Sequence, residues 1–255
     1  MIRIVLTIIV FQFIVSWGLS AQTVTGGTIK YQKQVPLREK LGNEWNGYKD
    51  QVPVTASYNF ILYFSGNKSL FIENAKENEA PNELVEKAMW MVNEWYRPFV
   101  KPLKLYINME EELLVRQTEF MTRWFREELS IEKRKWKMGE NNKTIKGYSC
   151  MQAETEIDGN RVIAWFTPDI PVPYGPEYCY GLPGLILEAS INNGQQSWIA
   201  TEISLNQPPE NLLAEPKEGR KVKPEQYIKI QEEKLAEWEK QKKTERLQKA
   251  DYIKK

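Results

Sequence analysis

Alternation with period two dominates the middle of this chain and predicts a succession of strands. Gly27-Thr28-Ile29-Lys30-Tyr31-Gln32-Lys33-Gln34-Val35 reads as the first. Residues 36–53 hold prolines, charges and Asn46-Gly47 and read as a loop. Ala56 to Phe64 places Tyr58, Phe60, Leu62 and Phe64 against Asn59, Ile61 and Tyr63, and Ser65-Gly66-Asn67 turns it into Lys68 to Glu73. That is a hairpin signal. The period then changes. From Glu83 to Tyr96, Leu84, Ala88, Met91, Val92 and Trp95 recur at helical spacing behind Asn82, a good cap, and Pro98 and Pro102 close the segment. This apolar stripe reads as a core face.

Further strands follow. Leu103 to Asn108 reads as one. Glu132 to Met138, a turn at Gly139 to Asn142, and a long strand from Thr144 to Ile157 come next. Asp158-Gly159-Asn160 is a hairpin turn into Arg161 to Thr167. Leu185 to Ile191, Asn192-Asn193-Gly194 and Gln196 to Leu205 form a last hairpin, with Trp198, Ala200 and Glu202 on one face. Regularly spaced strands with tight turns predict a mainly β, α+β fold: a curved antiparallel sheet or half-barrel meander, with one helix near 83–96 and a charged C-terminal helix.

Between the last two hairpins, Pro168, Pro171, Pro173 and Pro176 interrupt any ladder. The run predicts a stiff, extended surface loop over 168–184. Gly181-Leu182-Pro183-Gly184 reads as a turn with two positions free to take φ > 0, diving into a buried strand. Trp165, Phe166, Tyr174, Tyr178 and Tyr180 flank the loop, and rigid aromatics lose little conformational entropy on binding. Tyr174 and Tyr178 are read as the accessible pair. Candidate binding residues are therefore Trp165, Asp169, Tyr174, Glu177, Tyr178 and Tyr180, set against a reading in which most of these aromatics cap the core.

Composition narrows the chemistry. There is no histidine, which excludes Ser-His-Asp and Cys-His machinery and the usual histidine-containing zinc sites. The glycines of 181–184 are no phosphate loop, because a proline replaces a donor that an anion needs. Asp169, Glu177 and Glu188 are the carboxylates available for acid–base work, and Glu110-Glu111-Glu112 is an acidic turn, not a metal site. No catalytic residue, metal or cofactor is assigned. Residues 216–255 carry 13 Lys/Arg against 8 Asp/Glu, whereas 22–215 carry 21 against 26. A faintly acidic body with a basic tail lacks the clustered basic face of a nucleic-acid binder.

Arg3, an apolar run from Ile4 to Val15 and a small-residue end at Ala21 fit a signal peptide over 1–21. No later stretch is long and apolar enough to span a membrane. The expected organisation is that signal, one β-rich domain over 22–207, and a Pro-containing linker with a charged helical or disordered tail over 208–255.

Four ordered pieces carry a family resemblance. They are Trp136-Lys137 leading to Lys146-Gly147-Tyr148-Ser149-Cys150, then Ala164-Trp165-Phe166-Thr167, then Asp169-Ile170-Pro171 before Gly175-Pro176, and finally Gly181-Leu182-Pro183-Gly184-Leu185-Ile186. The chain resembles the GLPGLI family of exported envelope proteins of Gram-negative bacteria, tightly over 136–204 and more loosely over 27–130. The resemblance implies a β-rich protein of the periplasm or outer membrane, sometimes associated with TonB-dependent receptors, and supplies no catalytic residues. It also implies strands around Leu113 to Thr118 and Thr122 to Ile131. Read from the residues alone, Leu113, Leu114, Gln117, Phe120, Met121, Trp124, Phe125 and Leu129 fit one helical face instead.

In an exported chain, Cys150 and Cys179 would close a loop of about 30 residues, and a disulfide there would contribute about 3–4 kcal/mol. Two buried thiols, or a reactive or metal-binding pair, are the other states open to them. The expected function is non-enzymatic: binding of an outer-membrane or periplasmic protein, or of an apolar, peptide or glycan ligand. The alternatives are a carboxylate-dependent hydrolase and a structural envelope component.

Overall fold

A computed structural model describes residues 24–74, 77, 82–96 and 100–253. The expected signal peptide lies outside them. Strand β1 (Gly26–Pro36) pairs antiparallel with β2 (Thr55–Ser65), which turns through Gly66, at φ 52°, into β3 (Lys68–Glu73). Helix α1 (Glu83–Tyr96) begins where expected, with the Val85 N–H donating to Asn82 Oδ1 at 2.9 Å. It buries Val85 and Ala88, with Leu84 and Met89 partly covered. Their partners are Leu37, Leu41, Trp45 and Val52 of segment 36–53. That segment is therefore no plain loop: three short 3-10 turns aim its apolar side chains at the helix and give it a small core of its own.

Strand β4 (Val100–Asn108) returns beside β3. Segment 110–131 resolves as β5 (Leu113–Phe120) and β6 (Arg123–Ser130), the strands implied by the resemblance and not a helix. Met121 and Thr122 turn the hairpin at φ 48° and 64°. Neither residue type favours that region, so no glycine marks the turn in the sequence.

Strand β7 (Lys137–Ile145) and β8 (Tyr148–Ile157) correct the expected boundaries. The chain turns at Lys146-Gly147, φ 49° and 85°, whereas Gly139 to Asn142 lies inside β7 as an irregularity in its pairing between Met138 and Asn142. Residues 131–136, expected as strand, are irregular. Strand β9 (Asn160–Thr167) leads to the proline run, and β10 (Leu185–Ile191) and β11 (Gln196–Ser204) form the last hairpin. Arg220–Lys221 adds a two-residue β12, parallel to β6, and α2 (Pro224–Ile253) ends the described chain.

Among the described residues these strands form one mixed sheet in the order β12-β6-β5-β4-β3-β2-β1-β11-β10-β9-β8-β7. The fold is β-rich with two helices, as the sequence predicts. Its inner face carries Ile29, Tyr31, Phe60, Leu62, Phe64, Phe71, Leu105, Ile107 and Leu114, all buried. Phe60 and Phe71 stack at 5.0 Å.

The stretch after β11, expected as a linker, is laid along the outer face. Gln207 bonds Ser65, Leu213 buries against Leu70, Tyr106 and Val115, and Gln117 Nε2 donates to the Glu218 carbonyl. After β12 the chain rounds the β6 edge, and Tyr227 is buried against Phe120 and Phe125 on the inner side. Gly219 makes this close passage: at φ 95°, its absent Cβ would stand 2.7 Å from the Trp124 backbone. Among the described residues no helix is long and apolar enough to cross a membrane.

Candidate functional site

The proline run is not a surface loop, which corrects the expectation for 168–184. It folds back on itself and packs on the inner face, burying Ile170, Val172, Tyr174, Cys179, Tyr180 and Leu182. The prolines permit this, because each lacks the N–H that an irregular buried segment would otherwise have to pair. Several remaining donors are satisfied locally: Val172 to the Ile170 carbonyl at 2.8 Å, Cys179 to Pro176 at 3.0 Å, and Gly181 to Pro173 at 2.9 Å. Leu185 and Ile186 of β10 donate back to the carbonyls of Ile170 and Tyr174, both at 2.9 Å.

The hexapeptide now has a physical explanation. Gly181 takes φ 90°, Leu182 is buried, and Pro183 stays exposed. Gly184 is a glycine for a different reason than the one expected. Its φ is not positive; a Cβ there would stand 2.1 Å from the Thr167 carbonyl oxygen, where the end of β9 and the start of β10 nearly touch. Leu185, Ile186 and Leu187 are all fully buried.

The aromatic and acidic residues singled out from the sequence divide into three places. Tyr174, expected to be accessible, is 1% exposed. Its ring lies 6.1 Å from that of Phe64 and its hydroxyl donates to the Gly66 carbonyl at 3.1 Å. Burial raises its pKa above the ordinary tyrosine value. Glu177 and Tyr178, half-buried, reach across the inner face in different directions. Glu177 accepts from Lys33 of β1 at 2.8 Å, and the Lys33 amine lies 4.7 Å from the ring of Trp198 on β11. Tyr178 Oη accepts from Arg116 of β5 at 3.4 Å.

Arg116 also holds Glu127 of β6, its direct cross-strand neighbour, with two hydrogen bonds of 2.5 and 2.6 Å. The guanidinium stands 5.6 Å from the Tyr227 ring. The inner side of the loop is thus fastened to β1 through Glu177 and to β5 through Tyr178, and Arg116 in turn links β5 to β6 and α2. Tyr180 sits in the second place: its carbonyl accepts from Trp136 Nε1 at 2.9 Å and Arg134 stands 5.1 Å from its ring. Burial raises the Tyr180 pKa, against the opposing charge of Arg134.

The third place holds Trp165 and Glu188, while Asp169 lies just past the end of β9. Trp165 and Glu188 are cross-strand neighbours on β9 and β10, on the face opposite Ala164 and Phe166. Lys143 of β7 joins them, 2.6 Å from Glu188 Oε1 and 4.3 Å from the Trp165 ring centroid. Exposed Asp169 has its own N–H held by Thr167 Oγ1 at 3.3 Å.

Cys150 and Cys179 are buried and unbonded, so the disulfide expectation is replaced by two free thiols. Burial pushes the Cys150 thiol up to about 11, helped by the charges of Glu188 and Asp169. Burial and the Glu177 charge push Cys179 up to about 12.

Sequence reasoning missed the cations Lys33, Arg116, Lys143 and Arg134. It also missed Glu127, although a charge in phase with Phe125 and Leu129 on an otherwise apolar face was a visible signal. Two of the three carboxylates considered for acid–base work are committed to cations: Glu177 to Lys33 and Glu188 to Lys143. The 110–112 acidic turn is held by Asn108, whose Oδ1 accepts from Glu110 and Glu111 N–H. Among the described residues no three His, Cys, Asp or Glu side chains converge as a metal would require.

Comparison with known proteins finds a match to a family over part of the chain and a likeness of fold. The family described as "N-glycanase peptide, N-terminal domain" matches residues 102–227, from β4 to the buried Tyr227. A crystal structure of PNGF-II in a P21 lattice superposes with a TM-score of 0.53 at 17% identity, covering 81% of this chain and 33% of that one. A second, in a C2 lattice, gives 0.54 at 15% identity, covering 81% and 32%. At such identities the likeness is one of fold, and this chain spans about a third of the length of those proteins. No curated protein sequence matches the chain.

Proposed function

We propose that this protein is an exported, non-enzymatic binding or accessory module of the bacterial envelope, of the GLPGLI type, that engages a glycan-bearing partner. The observation that carries this reading is the commitment of its interior charges. Lys33–Glu177 and Arg116–Glu127 bind segments of the fold to one another. Neither pair leaves a carboxylate poised to donate or accept a proton at a reacting bond. Similarity of residues 102–227 to an N-glycanase N-terminal domain supports a module that serves recognition next to a glycan-processing activity. The reading places it in the periplasm or at the inner side of the outer membrane, where a TonB-dependent receptor is a candidate neighbour.

The test is a paired assay on the purified protein. Immobilised protein is expected to retain an N-glycosylated protein and not its deglycosylated form, and to release no glycan from it. Glycan release with multiple turnovers would replace this reading with the hydrolase; equal retention of both forms would remove the glycan from it.

A further inference from the structure

The outer face of the sheet is treated differently at its two ends. Over β3–β6 it is covered by residues 207–222, and Leu213 seals it. Over β8–β2 it bears a continuous cross-strand row that is not buried: Gln152, Trp165, Glu188, Ile199, Gln32 and Asn59, one from each successive strand. The adjacent row continues the theme with Ile163, Ser190, Ser197 and Gln34, none of them buried. Neighbouring strands lie about 4.8 Å apart, so these side chains form a regular grid of amides and hydroxyls with one indole, two isoleucines and the Glu188 carboxylate among them.

The charges of this grid cancel. Glu188 is paired with Lys143 at 2.6 Å, and Glu154, at the end of the second row, with Arg161 at 2.7 Å. An anionic or cationic ligand would have to compete with these pairs. A neutral ligand would not, and the amides together with the Lys143–Glu188 pair offer donors and acceptors side by side. The Lys143 ammonium lies over the Trp165 ring, 4.3 Å from its centroid, so a ligand meets the indole by the part of it that stays exposed. A partly exposed indole set among amide and carboxylate groups matches a ligand with an apolar C–H face and a rim of hydroxyls.

From this charge balance and composition we infer that the Trp165 face is a binding site for neutral oligosaccharide. The inference rests on the glycan-binding reading above and gives it an address, away from the loop of residues 168–184.

Intrinsic tryptophan fluorescence and calorimetry, with neutral oligomers of N-acetylglucosamine and of mannose as probes, test it. The wild type is expected to bind at least one series, and Trp165→Ala to weaken that binding by about tenfold or more, measured at a temperature where its melting curve shows it still folded. Ser190→Arg adds bulk and charge to the grid without removing a packed ring, and should weaken it similarly. An acidic oligosaccharide of the same length should bind more weakly than its neutral counterpart. Undiminished binding by both variants would move the site elsewhere while leaving the glycan reading in place. Retention of the glycosylated protein with no affinity for either neutral series would overturn the ligand class alone. Failure of the wild type to retain that protein would sink the function on which the inference depends.

Discussion

Arg116 and Glu127 face each other directly across β5 and β6 on the inner side of the sheet, joined by two hydrogen bonds of 2.5 and 2.6 Å. The glutamate side chain is 1% exposed and the arginine 18%. Removing one partner leaves the other desolvated without its counter-charge, so Glu127→Ala is expected to cost about 3–5 kcal/mol. Replacing both, as Arg116→Met with Glu127→Leu, should cost far less than the sum of the single changes. Urea unfolding of the four proteins of this cycle measures the difference.

The two tyrosines of the proline run should separate cleanly. Tyr174 fills the space beside Phe64 and bonds the β2–β3 turn, so Tyr174→Ala should lose about 3–5 kcal/mol. Tyr178 is half-buried, and its substitution by Ala should cost roughly half as much or less. Thermal melts of both variants check the ranking.

Gly184 is required by space. A Cβ would meet the Thr167 carbonyl oxygen at 2.1 Å, and backbone cannot yield as a flexible side chain would. Gly184→Ala is expected to cost about 1–3 kcal/mol or more. Gly47→Ala, where a Cβ meets nothing within 4 Å, should be nearly neutral. Comparison of their denaturation midpoints tests the point.

Both thiols titrate well above their ordinary value of 9.0, chiefly through burial. The folded protein therefore holds these protons where the unfolded chain has lost them. Stability is fully present below about pH 9 and falls as pH rises toward the folded values of about 11 and 12. A urea series from pH 7 to 10.5 should show the decline begin near pH 9, and Cys179→Ala should flatten it. At pH 7.5 a thiol reagent should label neither cysteine until the protein unfolds.

Tyr227 anchors the C-terminal wrap, with Phe120 and Phe125 around its ring and Thr118 Oγ1 donating to its hydroxyl at 3.0 Å. Tyr227→Ala should expose residues 207–223 to limited proteolysis while the remaining sheet resists. Mass analysis of early fragments would locate the first cuts, and cuts inside β1–β11 instead would show that the anchor stabilises the whole sheet.

Much of the strand order in sequence was legible because alternation and turn residues agree. Asp158-Gly159, at φ 51° and 75°, marks its hairpin as plainly as any pair can. Met121-Thr122 adopts the same unusual region without such a signal, which is why 110–131 admitted both helix and strand from residues alone. The position of the proline run was illegible for another reason. Tyr174 and Tyr178 look alike in the chain, and only the return of Leu185 and Ile186 N–H to the carbonyls of Ile170 and Tyr174 decides that the run lies inward. The ion pairs were illegible because their partners are distant in sequence: Lys33 and Glu177 are 144 positions apart. Only the tertiary fold brings such residues together.

The first strand lies in the middle of the sheet, with β2 on one side and β11 on the other. During synthesis β1 can zip onto β2 early, yet its second edge must wait for residues 196–204. Until then a nascent chain carries an open, partly apolar border, the kind that invites premature partners. Contacts this far apart are slow to find, so assembly should hinge on a late closing step. A chaperone that shields the bare border during that wait would bear on this protein's yield without changing its finished stability.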